Sequence, residues 1–290
     1  MIKCKKQIDL LARHVAHEVL SNAQKEAKAL QAYICAVYRP DKNMEPEQFA
    51  TATRIKVDDH YFLVTAAHVL DDNDDGNTLY IQGHVSGKLE ELVGDSFRSS
   101  KVIGSRKQDH TDIGVVKING TLLDNIGRDY FMSVEMLDPN DTGTSGGIYL
   151  AMGFPASKNR LTYNAGGKIK CRGMLYTANI LPKEKIDQLK LGNSAHLLIG
   201  FDKKNTHTKD GVRIVPPDPT GLSGGPLWRY SPYDDSPVKS RCVGIMIEWR
   251  QEVKGLLALR VPVLIAGIAH EYPQLKQYLP QTITVRVNIA

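Results

Sequence analysis

Residues 216–228, PPDPTGLSGGPLW, set a serine where regular secondary structure cannot form. Gly221 lies two places before Ser223, and Gly224 and Gly225 follow it directly. Glycine reaches backbone angles closed to other residues and lets another group approach the main chain closely. Pro216, Pro217 and Pro219 stiffen the approach and exclude helix. A serine on such a loop is exposed, with N–H groups available to hold a developing oxyanion. Its hydroxyl is a poor nucleophile alone. The stretch therefore predicts a histidine base, and an acid to orient it, elsewhere in the chain.

The letters G-x-S-x-G also fit a nucleophile elbow, which needs a strand before the serine, a helix after it, and then acid and histidine downstream. Here prolines precede Ser223 and Pro226 follows. Downstream stand only His270 and the loop aspartates Asp234 and Asp235. The elbow fails on context.

The base belongs at the end of a buried element. His68 meets that need, because FLVTAAHVL runs apolar into small residues that leave room for a ring. The acid belongs at the mouth of another buried strand. Asp112 opens DIGVVKI, whereas Asp109 does not abut the apolar run.

Residues 5–31 carry Ile8, Leu11, Val15, Val19, Ala23, Ala27 and Leu30 at three- and four-residue steps, an amphipathic helix. Such a helix docks on its own domain or offers a regulatory protein a surface. From residue 32 the texture turns to β. Strands are expected at 32–39, 49–57, 61–67, 78–83, 89–94, 99–104 and 113–118, with turn-formers between them and no helices. A looser stretch, 120–146, leads to a second β unit. Its strands are expected at 148–154, 161–178, 195–201, 211–215, 243–249 and 256–263. Residues 262–279 read as a helix interrupted near Pro273, and 282–287 as a terminal strand. Many short strands argue for antiparallel barrels. The expected division is an N-terminal helix at 1–32, a first barrel at 33–125, a linker at 126–146, and a second barrel with a C-terminal helix at 147–290.

Partners and compartment follow from composition. The net charge of +5 comes from 37 basic and 32 acidic side chains spread along the chain. Apart from KCKK at residues 3–6 the basic residues do not cluster, so neither nucleic acid nor membrane is an expected partner. Asp9, Arg13, His14, His17 and Glu18 interrupt any apolar signal core near the start. Four cysteines without metal-ligand spacing suit reduced thiols and a cytoplasmic protein. No cofactor or metal is expected.

TAAHV (65–69), DIGVV (112–116) and GLSGGP (221–226) together resemble the three signatures of the trypsin-like, chymotrypsin-fold serine peptidases. The order His, Asp, Ser is that family's order. The resemblance covers roughly residues 33–270. It implies an all-β fold of two packed antiparallel barrels, with an N-terminal and a C-terminal helix added here. It implies a serine endopeptidase acting on proteins or peptides. His68 would be the base, Asp112 would orient it, Ser223 would attack, and the N–H groups of Gly221 and Ser223 would form the oxyanion hole. Where digestive members carry an aspartate before the nucleophile, this chain has Leu222. Where members that cleave after Arg or Lys carry one six places before it, this chain has Pro217, with Asp218 one place off. Met246, Ile247 and Glu248 would line the substrate wall. Without the zymogen aspartate, disulfides or a signal, the chain resembles bacterial intracellular members more than digestive ones. The alternative from another class is a protease-fold scaffold that no longer cleaves.

Overall fold

The computed structural model describes residues 2–74, 76–102, 105–106, 109–143, 147–159, 171–192, 194–208, 210–233, 235 and 239–281, with backbone alone for 2–13 and 74. Helix α1, Ile2–Leu30, leads into β1, Ile34–Pro40. The stripe that predicts α1 is the stripe that docks. Ala23, Ala27 and Leu30 are buried, four and three residues apart, and Val19 packs beside them. Glu26 accepts the Ser240 N–H at 2.8 Å, so the last turns of α1 are tied to the second half of the chain. Further toward the N-terminus, Val15 is exposed.

The first sheet contains β1, β2 (Pro46–Val57), β3 (His60–Ala66), β4 (Tyr80–Gln82), β5 (Leu89–Glu91), β6 (Asp95–Arg98) and β7 (Ile113–Ile118). Their spatial order is β5-β4-β1-β2-β3-β7-β6, antiparallel throughout. The two-residue β8, Met132–Ser133, lies within the stretch expected to link the units and pairs parallel with β2. The second sheet contains β9 (Ile148–Gly153), β10 (Met174–Ala178), β11 (His196–Gly200), β14 (Pro226–Tyr230), β15 (Ser240–Arg250) and β16 (Gly255–Arg260). Its order is β10-β9-β14-β15-β16-β11. A separate ribbon joins β12, Thr206–His207, to β13, Arg213–Ile214. The expected all-β architecture of two curled antiparallel sheets with a helix at each end is present.

Three apolar clusters follow from this arrangement. One fills the first sheet around Leu63, Ile81 and Ile118. Another fills the second sheet around Leu197, Leu227 and Leu256. The largest runs from α1 through both sheets, including Phe62 and Trp228, to the C-terminal helix α5, Val261–Glu271. Continuous burial across this seam fixes the two sheets against each other, at about 25 cal/mol for each Å2 of apolar surface removed from water.

Local expectations fail in identifiable places. The chain turns helical directly after β3, giving α2, Ala67–Asp74, where the strand was expected to end at 67 and no helix was expected. Short helices α3, Gly120–Ile126, and α4, Lys183–Gln188, were likewise not expected. The strand expected at 99–104 stands at Asp95–Arg98, with an isolated bridge between Val102 and Ser105 after it. Strand β16 ends at Arg260, and Pro262 in the first turn suits the start of α5, since that N–H needs no helical partner. The interruption near Pro273 is real, because α5 stops at Glu271 and a 3-10 turn spans Pro273–Tyr278. The expected strand at 282–287, and residues 161–170 of the one expected at 161–178, lie outside the described residues.

Candidate active site

Strand register brings the base and the acid together. β3 and β7 pair with Ala66 opposite Ile113, so the residues just beyond that pair are neighbours. The Ala67 N–H donates to the Asp112 carbonyl at 3.0 Å. The His68 N–H donates to Asp112 Oδ1 at 2.9 Å, and His68 Nδ1 lies 2.7 Å from Oδ2. A carboxylate only accepts, so Nδ1 carries the ring proton and Nε2 is left with its lone pair. Asp112 holds this position at φ 39°, a left-handed conformation that aspartate tolerates better than most residues.

A second ion-pair group braces the same loop. Asp109, the weaker acid in the sequence, does not reach His68. It pairs with Arg106 Nη1 at 2.7 Å and accepts from Ser99 Oγ at 2.5 Å. Arg106 also pairs with Asp71 at 2.7 Å, one turn after His68 on α2. The Arg106 hydrogen bond holds the Asp71 carboxyl below its usual range.

His68 is 43% exposed at its side chain and Asp112 is 13% exposed. Burial of the ring works against its charged form. The Asp112 hydrogen bond and charge, aided by Glu248 and Asp71, outweigh that and raise the His68 pKa above its ordinary value.

Ser223 sits on the loop before β14. Gly221 has φ +95° and Gly224 has φ +88°. A Cβ on Gly224 would lie 2.0 Å from the Thr51 carbonyl oxygen, so only glycine lets the two sheets approach there. Three hydrogen bonds from β2 fix the loop. The Thr51 N–H donates to the Ser223 carbonyl at 2.9 Å. Thr51 Oγ1 donates to the Gly221 carbonyl and Thr53 Oγ1 to the Gly224 carbonyl, each at 2.7 Å. Thr51 Oγ1 also accepts from the Phe154 N–H at 2.9 Å. From the other side, β15 engages the loop, with Gly224 N–H to the Met246 carbonyl at 2.7 Å. Leu222 is buried among Tyr149, Ala151 and Met246.

The N–H groups of Gly221 and Ser223 donate to no partner among the described residues. Ser223 Oγ donates to the Ile247 carbonyl at 3.1 Å, and no hydrogen bond joins it to His68 among the described residues.

A cavity of about 450 Å3 opens beside His68 and Asp112, lined also by Arg106, Asp109, His110, Ile247, Glu248 and Arg250. Burial pushes the Glu248 carboxyl up, against the opposing charge of Arg250, which lies 2.7 Å away. Of the residues expected to line a substrate wall, Ile247 and Glu248 border this cavity. Pro217, Asp218 and Met246 do not. Met246 is buried in the second-sheet core, and Asp218 pairs with Lys203 at 2.5 Å.

Thr51 and Thr53 are the residues that motif reading missed. Their signal was present: two hydroxyls at i and i+2 share one face of β2, flanked by the small residues Ala50 and Ala52.

Neuropsin, a serine protease expressed in the limbic system of mouse brain, has a similar structure, with a TM-score of 0.50 and 15% identity. The match covers 83% of this chain and 94% of neuropsin. At that identity the likeness carries the fold, which is chymotrypsin-like. No family model matches the chain, and no curated protein does. Among the described residues, no helix is long and apolar enough to cross a membrane.

Proposed function

We propose that this chain is a serine endopeptidase acting on protein or peptide substrates through an acyl-enzyme. The observation that carries the reading is the pairing of His68 with Asp112 at 2.7 Å, beside a glycine-rich serine loop in which the Gly221 and Ser223 N–H groups find no partner among the described residues. Ser223 Oγ attacks the scissile carbonyl carbon while its proton passes to His68 Nε2. Asp112 keeps Nδ1 protonated and stabilises the imidazolium that forms. The oxyanion is received by the Gly221 and Ser223 N–H groups. When the C–N bond breaks, His68 returns the proton to the leaving amine. Water then attacks the ester, with His68 again as base, and Ser223 is regenerated.

The cavity beside His68 supports a substrate side chain bordered by Ile247 and Glu248. Lys203 neutralises Asp218, which argues against a pocket selecting basic residues there.

The hydroxyl's bond to Ile247 favours a second reading, in which a protein partner releases Ser223 toward His68. The exposed turn His14–Glu18 of α1 is the place proposed for that partner. A serine-directed phosphonate with mass-spectrometric mapping separates these readings. An adduct on Ser223 in the isolated protein, absent in His68→Ala, supports an endopeptidase. An adduct formed only with a partner supports gating. A folded protein that never labels is a protease-fold scaffold.

A further inference from the structure

Arg54 lies on β2 between β1 and β3, three residues beyond Thr51, and is 2% exposed. No salt bridge to it exists among the described residues. Nη1 donates to the Ala32 carbonyl at 3.3 Å and Nη2 to the Gln82 carbonyl at 3.2 Å, both long for hydrogen bonds of this kind. Nε is buried without any partner. A guanidinium has five N–H donors and a full positive charge, so two neutral carbonyls and a hydrogen bond with the neutral Cys35 thiol leave donors and charge unmatched among the described residues. A buried cation without a counter-ion is strongly disfavoured. The neighbouring Cys35 does not supply one. Its burial raises the thiol pKa more than Arg54 lowers it, and the sulfur stays protonated.

Arg54 also lines a cavity of about 600 Å3 between the end of α1, the first sheet, and Cys171 and Gly173. Lys28 stands on its rim with His84, whose ring lies 3.6 Å from that of Tyr130. Ile34 and Phe154 supply apolar wall. No described residue lining it is a carboxylate. The cavity is distinct from the one beside His68, and none of the proposed catalytic residues borders it.

We propose that this cavity binds a small organic anion, its oxyanion head seated on Arg54 and its apolar body against Ile34 and Phe154. The volume suits a drug-sized molecule, and a planar fork of donors fixed on a central strand is preorganised for a carboxylate or phosphate. The bound anion supplies the missing counter-charge, and Lys28 adds attraction at the entrance. The reading is independent of the catalytic proposal.

The test uses the full chain in low-salt buffer without phosphate. Phenyl phosphate, phenylacetate and uncharged benzyl alcohol are each titrated calorimetrically. One or both anions are expected to saturate a single site, with benzyl alcohol much weaker. The tighter of the two anions identifies the head group. Arg54→Met should weaken anion binding by about tenfold or more, and Lys28→Gln by about two- to threefold. Ser223→Ala should leave it unchanged. If Arg54→Met does not fold, Arg54→Lys keeps the charge and removes the fork, and Lys28→Gln reads the rim separately. Equal binding of benzyl alcohol, unaltered binding in the Arg54 variants, or no saturation by either anion below about 10 mM overturns the proposal.

Discussion

His68 and Asp112 meet through two hydrogen bonds to one carboxylate, so both the backbone and the ring of the histidine are fixed. Ser223 is fixed differently. Its main chain is clamped between β2 and β15, while its hydroxyl faces the Ile247 carbonyl. The first half of the site is ordered down to the ring tautomer, and the second only down to the backbone. The difference has a physical cause. Asp112 and His68 extend from paired ends of adjacent strands, so strand register alone makes them neighbours. Ser223 comes from the other sheet, and its side chain has one torsion left to turn. The hydrogen bonds of a catalytic pair are often long or misdirected before substrate binds.

The largest effects test whether the two halves act as one unit. Ser223→Ala and His68→Ala should each reduce peptide cleavage by about four orders of magnitude or more, with thermal unfolding little changed. Near-normal turnover by a folded Ser223→Ala protein sinks the assignment. Asp112→Asn keeps a similar shape but presents an amide to Nδ1 and favours the wrong tautomer. It should lower kcat by roughly 10^3 to 10^4. If it loses less than Thr51→Val does, the ordered half is not the half that matters.

Thr51→Val loosens the other half. It removes the hydroxyl that donates to Gly221 and accepts from Phe154, leaving two buried groups unpaired. Stability should fall by about 1–3 kcal/mol, and kcat on the order of tenfold as the Gly221 N–H loses its alignment. Thr53→Val breaks only the Gly224 contact and should do less. Denaturant melts alongside kcat and KM distinguish a lost clamp from simple destabilisation: the clamp predicts a fall in kcat at constant KM. A kcat unchanged by Thr51→Val would show that β15 alone holds the loop.

The same contrast governs what the chain's letters disclose. The strand that ends just before His68, the strand that begins after Asp112, and the glycines around Ser223 all carry local signals: an apolar run, an abrupt charge, a glycine-rich turn. Helix α2 does not. Its first residues, AHVL, carry on from β3 with no break signal, and the chain turns there as the Asp112 carbonyl and carboxylate capture the Ala67 and His68 N–H groups. Helices α3 and α4, of seven and six residues, are shorter than any window in which helical period shows. Arg54 is the sharpest case. Within ATATRIKV an arginine reads as an outward residue, yet Arg54 is buried, its guanidinium held by the Ala32 and Gln82 carbonyls from chain distant in sequence. Burial imposed by distant chain leaves no local trace.

The smallest expected effect lies at the seam between the halves, where Glu248 of the second sheet acts on His68 of the first. The raised His68 pKa places the acid limb of kcat/KM above the ordinary histidine value of about 6.5, since only the neutral ring can take the Ser223 proton. Asp112 supplies most of the attraction that opposes burial, with Glu248 and Asp71 behind it. Glu248→Gln removes one negative charge and should move the limb to lower pH. The plateau rate should stay within about twofold, because Asp112 still sets the tautomer. Glu248 is 48% exposed, so the displacement should shrink as salt rises. The sign on stability is linked. A folded-state pKa above the unfolded one contributes stability fully present below about pH 6.5, and that stability is lost as pH rises through the folded value. Glu248→Gln should therefore narrow that window from its upper edge. Titrating the His68 ring resonances by NMR in both proteins, beside the two pH–rate profiles, checks this directly. A limb that stays fixed or moves upward means that Glu248 does not act on His68 across the cleft.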